Sequence, residues 1–123
     1  MKPPSIRVLI VDDEIGFTEV LHKRLAKRGL TVTSATSGSQ AIRTLRLHDF
    51  DVAILDLKME DMDGIEVLQI FKKMVPEMPV IMLTGHGSEK AAKEGLKAGA
   101  YDYLLKPCAM EAVLEIIHQA VKK

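Results

Sequence analysis

Apolar residues in this chain fall into two alternating patterns. Short, nearly unbroken runs end in polar turn residues: Ile6-Arg7-Val8-Leu9-Ile10-Val11, Val52-Ala53-Ile54-Leu55 and Val80-Ile81-Met82-Leu83. Such runs predict strands buried on both faces, the usual condition in a parallel sheet. Thr31-Val32-Thr33-Ser34-Ala35 is a weaker, β-branched strand suited to an edge, and Tyr101 to Leu105 makes a fifth. Between these runs the apolar residues recur at helical spacing: Phe17, Val20, Leu21 and Leu25; Ala41, Ile42 and Leu45; Ile65, Leu68 and Phe71; Ala91, Ala92 and Leu96; Val113, Leu114, Ile117 and Val121. Local signals mark the helix ends. Lys23, Arg24, Lys27 and Arg28 with Gly29 close the first helix, Ser37 with Gln40 and Asp63 with Glu66 read as capping boxes, and Ser88 is a candidate N-cap. Alternating strands and helices joined by short loops predict an α/β, doubly wound sheet with helices on both faces, formed by one domain over residues 1–123.

Composition narrows the class. With 123 residues and 47% hydrophobic content the chain can build one real core. Its 17 basic and 17 acidic residues cancel, so no net field draws it to nucleic acid or an anionic membrane. Neither direct nucleic-acid binding nor membrane association is expected. The lone Cys108 excludes an internal disulfide, and neither a membrane-length apolar run nor a signal-peptide core is visible, so the expected location is cytoplasmic.

Strand ends carry the candidate chemistry. The first strand runs into Asp12-Asp13, the third into Asp56, the fourth into Thr84 and the fifth into Lys106. In a parallel sheet these ends share one rim, where ligands of open α/β folds collect. Singly, each has an ordinary explanation: Asp12 or Asp13 as a helix cap, Thr84 as a strand-end threonine, Lys106 as a solvated lysine. Together they bring three carboxylates, a hydroxyl and an ammonium to one crevice. Crowded carboxylates repel, so a proton or a cation must enter. An all-oxygen acidic site suits Mg²⁺, and no thiolate or histidine grouping argues for zinc. With the metal present, a carboxylate is free to attack phosphorus, as in aspartyl-phosphate chemistry.

Four segments carry a resemblance: Val8-Leu9-Ile10-Val11-Asp12-Asp13-Glu14; Leu55-Asp56 with Met59 and Met62-Asp63-Gly64; Val80-Ile81-Met82-Leu83-Thr84; and Gly99-Ala100-Tyr101-Asp102-Tyr103-Leu104-Leu105-Lys106-Pro107. In this order and spacing the chain resembles the receiver domains of two-component response regulators over essentially its whole length. The resemblance implies a flavodoxin-like (βα)5 fold with strand order 2-1-3-4-5. It implies Asp56 as phosphoryl acceptor, with Asp12, Asp13, Asp56 and the Lys58 backbone carbonyl on Mg²⁺, and Thr84 and Lys106 on the phosphoryl oxygens. Thr84 and Tyr103 would switch the surface of the fourth helix, fifth strand and fifth helix, and Lys106-Pro107 would be cis. Implied partners are a sensor histidine kinase or phosphotransfer domain of a phosphorelay, and a downstream effector protein or fused domain, with a dimer on phosphorylation possible. The domain would promote only its own phosphorylation and dephosphorylation and would not be an enzyme with an external product.

Two features set this chain apart within that family. Glu60 stands where a proline commonly follows Met59, adding a negative charge and freeing the backbone near the acceptor. Lys58 and His86 hold positions that tune phosphoryl lifetime, and the expectation is that they shield the group from water. Two other classes compete. A phosphatase of the haloacid dehalogenase type would need an aspartate at position 58, where Lys58 stands. A flavodoxin-like cofactor binder would need a hydroxyl- and glycine-rich loop after the first strand, where Asp12-Asp13-Glu14 would repel phosphate. The chain ends at Lys122-Lys123, just past the last helix, so both a free-standing shuttle and a piece of a longer regulator are expected forms.

Overall fold

The computed structural model describes residues 5–85 and 89–122. Its elements follow in the order β1 (Arg7–Val11), α1 (Ile15–Lys27), β2 (Thr31–Ala35), α2 (Gly38–Leu47), β3 (Val52–Asp56), α3 (Gly64–Met74), β4 (Val80–Thr84), α4 (Glu89–Lys97), β5 (Asp102–Leu105) and α5 (Met110–Val121). The strands form one parallel sheet in the order β2-β1-β3-β4-β5. β3 and β4 are buried along their whole length, which is why their sequences are continuous rather than alternating hydrophobic runs. β2 and β5 are the edges.

Alternate strand residues feed two cores. Leu9, Val11, Ala53, Leu55 and Met82 pack with Ala41 and Leu45 of α2, and Val67, Leu68 and Phe71 of α3; Ala91 of α4 lies against them. Val8, Ile10, Ile54, Ile81 and Leu83 pack on the other face with Leu21 and Leu25 of α1 and Val113, Ile116 and Ile117 of α5. Clamped from both sides, β1 and β3 have no freedom to slip: a shift of one residue would exchange the two cores.

Some expected buried positions are taken by a residue one or two places earlier in the helix. Val20 is 50% exposed, and Thr18 is buried in its place because its hydroxyl donates to the Asp12 carbonyl at 3.2 Å and the Glu14 carbonyl at 2.9 Å. On α4, Leu96 faces outward and Gly95 faces in, where a Cβ would collide with the Met82 sulfur. Val67, Ile116 and Ala120 are core residues that the apolar spacing did not single out. Ser37 does cap α2, accepting from the Gln40 N–H at 3.1 Å, but the Gln40 side chain returns to Thr36 N–H and hydroxyl instead of to Ser37. Asp63 caps α3 through the Ile65 N–H at 3.1 Å. Ser88, expected to cap α4, lies outside the described residues.

The loop between β3 and α3 is closed by the Gly64 N–H, which donates to the Leu57 carbonyl at 3.3 Å. A Cβ at position 64 would lie 2.7 Å from that carbonyl oxygen, against backbone that cannot turn aside. Gly64→Ala is therefore expected to cost about 1–3 kcal/mol, the range for overpacking. Chemical denaturation checks this: a loss below about 0.5 kcal/mol, the range of neutral surface changes, would show that the loop relaxes freely.

Candidate functional site

β1, β3, β4 and β5 end at one rim and deliver Asp12, Asp13, Asp56, Thr84 and Lys106 to it. Asp12, Asp56 and Thr84 are buried, an unusual place for two carboxylates. Asp12, Asp13 and Asp56 each offer an oxygen, and these oxygens lie within 4.8 Å of one another.

Backbone hydrogen bonds set each acid. The Asp12 N–H donates to the Ala35 carbonyl at 3.1 Å, and its Oδ1 accepts from the Glu14 N–H at 2.9 Å, so Asp12 shapes the turn into α1. Asp56 Oδ1 accepts from the Lys58 N–H at 3.2 Å. Asp13 Oδ2 accepts from the Glu60 N–H at 3.1 Å. A proline at position 60 would have no such hydrogen to give, so the residue that sets this loop apart also anchors one of its acids.

Lys106 is the internal counterion. Its Nζ lies 2.6 Å from Asp12 Oδ2, 2.9 Å from Glu14 Oε1 and 3.6 Å from Asp56 Oδ2. The same ammonium stands 4.5 Å from the centroid of the Phe17 ring, a cation–π distance. The Lys106 N–H donates to the Thr84 carbonyl at 2.7 Å, and the Lys106-Pro107 bond is cis. Neither Glu14 nor Phe17 was singled out from the sequence as a neighbour of Lys106. Glu14 belongs to a visible acidic run, but no local spacing reveals a contact 92 residues away.

Burial raises the Asp56 pKa to about 6, and the negative charge of Asp12 adds to the rise; the Lys58 N–H and Lys106 oppose it. For Lys106, burial works against the charged form. Its bonds to Asp12 and Glu14 and the attraction of Asp12 and Asp56 outweigh that, and its pKa is raised above the ordinary lysine value.

Among the described residues, two buried side-chain oxygens lack a well-directed hydrogen bond: Asp12 Oδ2, whose close contact with Lys106 is an ion pair, and the Thr84 hydroxyl. A free lone pair on a buried carboxylate within a three-acid cluster suits a cation, and an all-oxygen donor set suits a hard one. The acidic pocket can thus hold a metal ion.

Not every acid near the rim belongs to it. Asp61 caps α2 instead, accepting from Gly38 N–H at 2.9 Å and from Ser39 N–H at 3.1 Å. Lys58 has an exposed side chain, and Tyr103 is half-buried against the α2–α3–α4 core. His86 lies outside the described residues. A separate cleft of about 580 Å³ runs along the β2 edge, lined by residues such as Thr33, Arg43 and His48 and by none of the strand-end set.

Because the Asp56 pKa is above that of the unfolded chain, the folded state holds a proton that the unfolded state has released between about pH 4 and pH 6. Through this group, stability of the metal-free protein falls as pH rises across that window. Asp56→Asn is expected to raise the metal-free Tm at pH 7, with the gain shrinking toward pH 4. A gain independent of pH in thermal unfolding scans would contradict the electrostatic account.

Comparison with known proteins fits this geometry. The family model described as the response regulator receiver domain matches residues 8–118. The transcriptional regulatory protein GlrR of Escherichia coli (strain K12) is 36% identical over all of this chain, and the DNA-binding transcriptional regulator NtrC of Proteus hauseri is 32% identical over 93% of it. The chain spans 28% and 24% of those two proteins. A response regulator receiver domain protein from Clostridium thermocellum superimposes with a TM-score of 0.89 at 34% identity, covering 94% of each chain. The CheY-like receiver domain protein from Methanospirillum hungatei gives 0.91 at 32% identity, covering 95% of this chain and 94% of that one. With five parallel strands in the expected order and an acidic crevice at their carboxyl ends, this chain belongs to the response regulator receiver domain family.

Proposed function

We propose that this domain, spanning residues 1–123, is a phosphorylation switch in which Asp56 accepts a phosphoryl group from a histidine kinase or a phosphotransfer domain. The observation that carries the reading is the convergence of the three acids within 4.8 Å, with Lys106 3.6 Å from Asp56 and an unpartnered Thr84 hydroxyl buried nearby. With a pKa of about 6, Asp56 is mostly ionised at neutral pH and available as a nucleophile. One carboxylate oxygen attacks phosphorus, the donor's P–N bond breaks, and the electron pair leaves on the imidazole nitrogen. Mg²⁺, held by Asp12, Asp13, Asp56 and the Lys58 carbonyl, would offset charge on the transferring oxygens. Lys106 neutralises a phosphoryl oxygen from the other side, and Thr84 donates the hydrogen bond that its hydroxyl does not spend elsewhere.

The signal leaves through shape. Movement of Thr84 toward the phosphoryl group frees space for Tyr103 to turn inward and remodels the face formed by α4, β5 and α5. Apolar side chains are exposed in this region at Leu96, Tyr101 and Leu105. Only Ala92 and Gly95 are buried on α4, so moving it disturbs few large contacts. The face is a docking surface for an effector protein, a fused domain or a second copy of the domain. The domain turns over no external substrate, works in the cytoplasm and does not itself bind nucleic acid; among the described residues no helix is long and apolar enough to cross a membrane.

Incubation with acetyl phosphate and Mg²⁺ followed by intact-protein mass spectrometry tests the reading. The expected result is the gain of one phosphoryl group, lost with chelator and absent in Asp56→Asn; labelling that survives Asp56→Asn would place the acceptor elsewhere. Lys58 and His86 are assigned to shielding the aspartyl phosphate from water. Replacing both with alanine should shorten its half-life, and an unchanged half-life removes them from that role.

A further inference from the structure

Lys106 has one partner that phosphoryl capture does not call for. Glu14 is the residue preceding α1, and its carboxylate is 64% exposed, yet it reaches Lys106 Nζ at 2.9 Å. It does no other visible work: as N-cap of α1 it makes no side-chain cap bond, and its backbone N–H and carbonyl serve Asp12 and Thr18 without help from the side chain. Lys106 is also flanked by Phe17, one turn further along α1, on the same helix that carries Glu14 at its start. The ammonium is therefore held on the α1 side of the rim by Glu14 and Asp12, at shorter distances than the 3.6 Å to Asp56.

Building on the acceptor role of Asp56, we propose that Glu14 is a positioning residue, a latch that keeps Lys106 turned toward α1 until a phosphoryl group competes for it. Asp12 cannot be the latch in the working state, because its free oxygen is the one a cation would claim. Glu14 then remains as the anionic partner that Lys106 must leave. An exposed ion pair of this kind is worth little, which suits a latch that must open. Its release adds a modest barrier to phosphoryl transfer, and re-formation of the pair draws Lys106 off the aspartyl phosphate.

Two variants separate contact from charge. Glu14→Ala removes both, whereas Glu14→Asp keeps the charge but falls one methylene short of Lys106. The first readout needs no metal: the rate at which Lys106 in the metal-free protein reacts with an amine-directed acylating reagent, followed by peptide mass spectrometry. Both variants should react about two- to fivefold faster than the parent, the scale of a surface ion pair. The second readout is the rate of Asp56 labelling by acetyl phosphate with Mg²⁺, expected to rise by a similar factor in both. If Glu14→Asp matches the parent in both assays while Glu14→Ala is faster, the effect is repulsion of an anionic reagent and the latch is refuted. Unchanged Lys106 reactivity in both variants refutes it as well. If the parent protein takes no phosphoryl group at all, the acceptor role fails, and the acylation rates still decide whether Glu14 holds Lys106.

Discussion

Two carboxylates, Asp12 and Asp56, are withdrawn from water beside each other and beside one ammonium. Burial of ionised groups is costly unless each is paired, and here the pairing is incomplete by one oxygen and one hydroxyl. That incompleteness leaves the acidic pocket able to hold a metal ion. A site satisfied entirely by its own side chains would have no reason to take up a cation or an oxyanion. This one keeps its surplus negative charge at the end of β1 and β3, where the protein cannot rearrange to dissipate it.

The rest of the architecture serves that rigidity. β1, β3 and β4 are clamped between two cores, so the positions of Asp12, Asp56 and Thr84 are fixed by packing far from the pocket. Loops then make fine adjustments through backbone donors: Lys58 N–H to Asp56, Glu60 N–H to Asp13, Glu14 N–H to Asp12. Away from the pocket, packing loosens. β5 is a short edge strand with exposed ends, and α4 buries only small residues. Packing thus grades from the tightly held strand ends at the pocket to the lightly packed α4 and β5.

Lys106 lies just past the edge strand, in the short connection to α5, and its ammonium is held by side chains rather than by a closed cage. Its contacts with Glu14 and Phe17 tie it to α1, so α1 has a stake in the pocket that extends beyond packing.

By itself the sequence determined the alternation of strands and helices, the burial of β3 and β4, and the sorting of Asp12-Asp13, Asp56, Thr84 and Lys106 to strand ends. These are legible because period, run length and turn chemistry are local properties. Which side of a helix lies inward was less legible: Val20 and Leu96 lost their places to Thr18 and Gly95, since the Thr18 bond to the Asp12 carbonyl follows from the turn into α1 and the close approach of Gly95 to Met82 from tertiary packing, neither of which apolar spacing records. The partners of charged groups were illegible for the same reason. Asp61 became a cap for α2, Glu60 gave its N–H to Asp13, and Glu14 found Lys106, all through the tertiary fold. Hydrophobic pattern is written one turn or one strand at a time, whereas electrostatic partnership is settled only when the sheet closes and brings separate strand ends within a few ångströms.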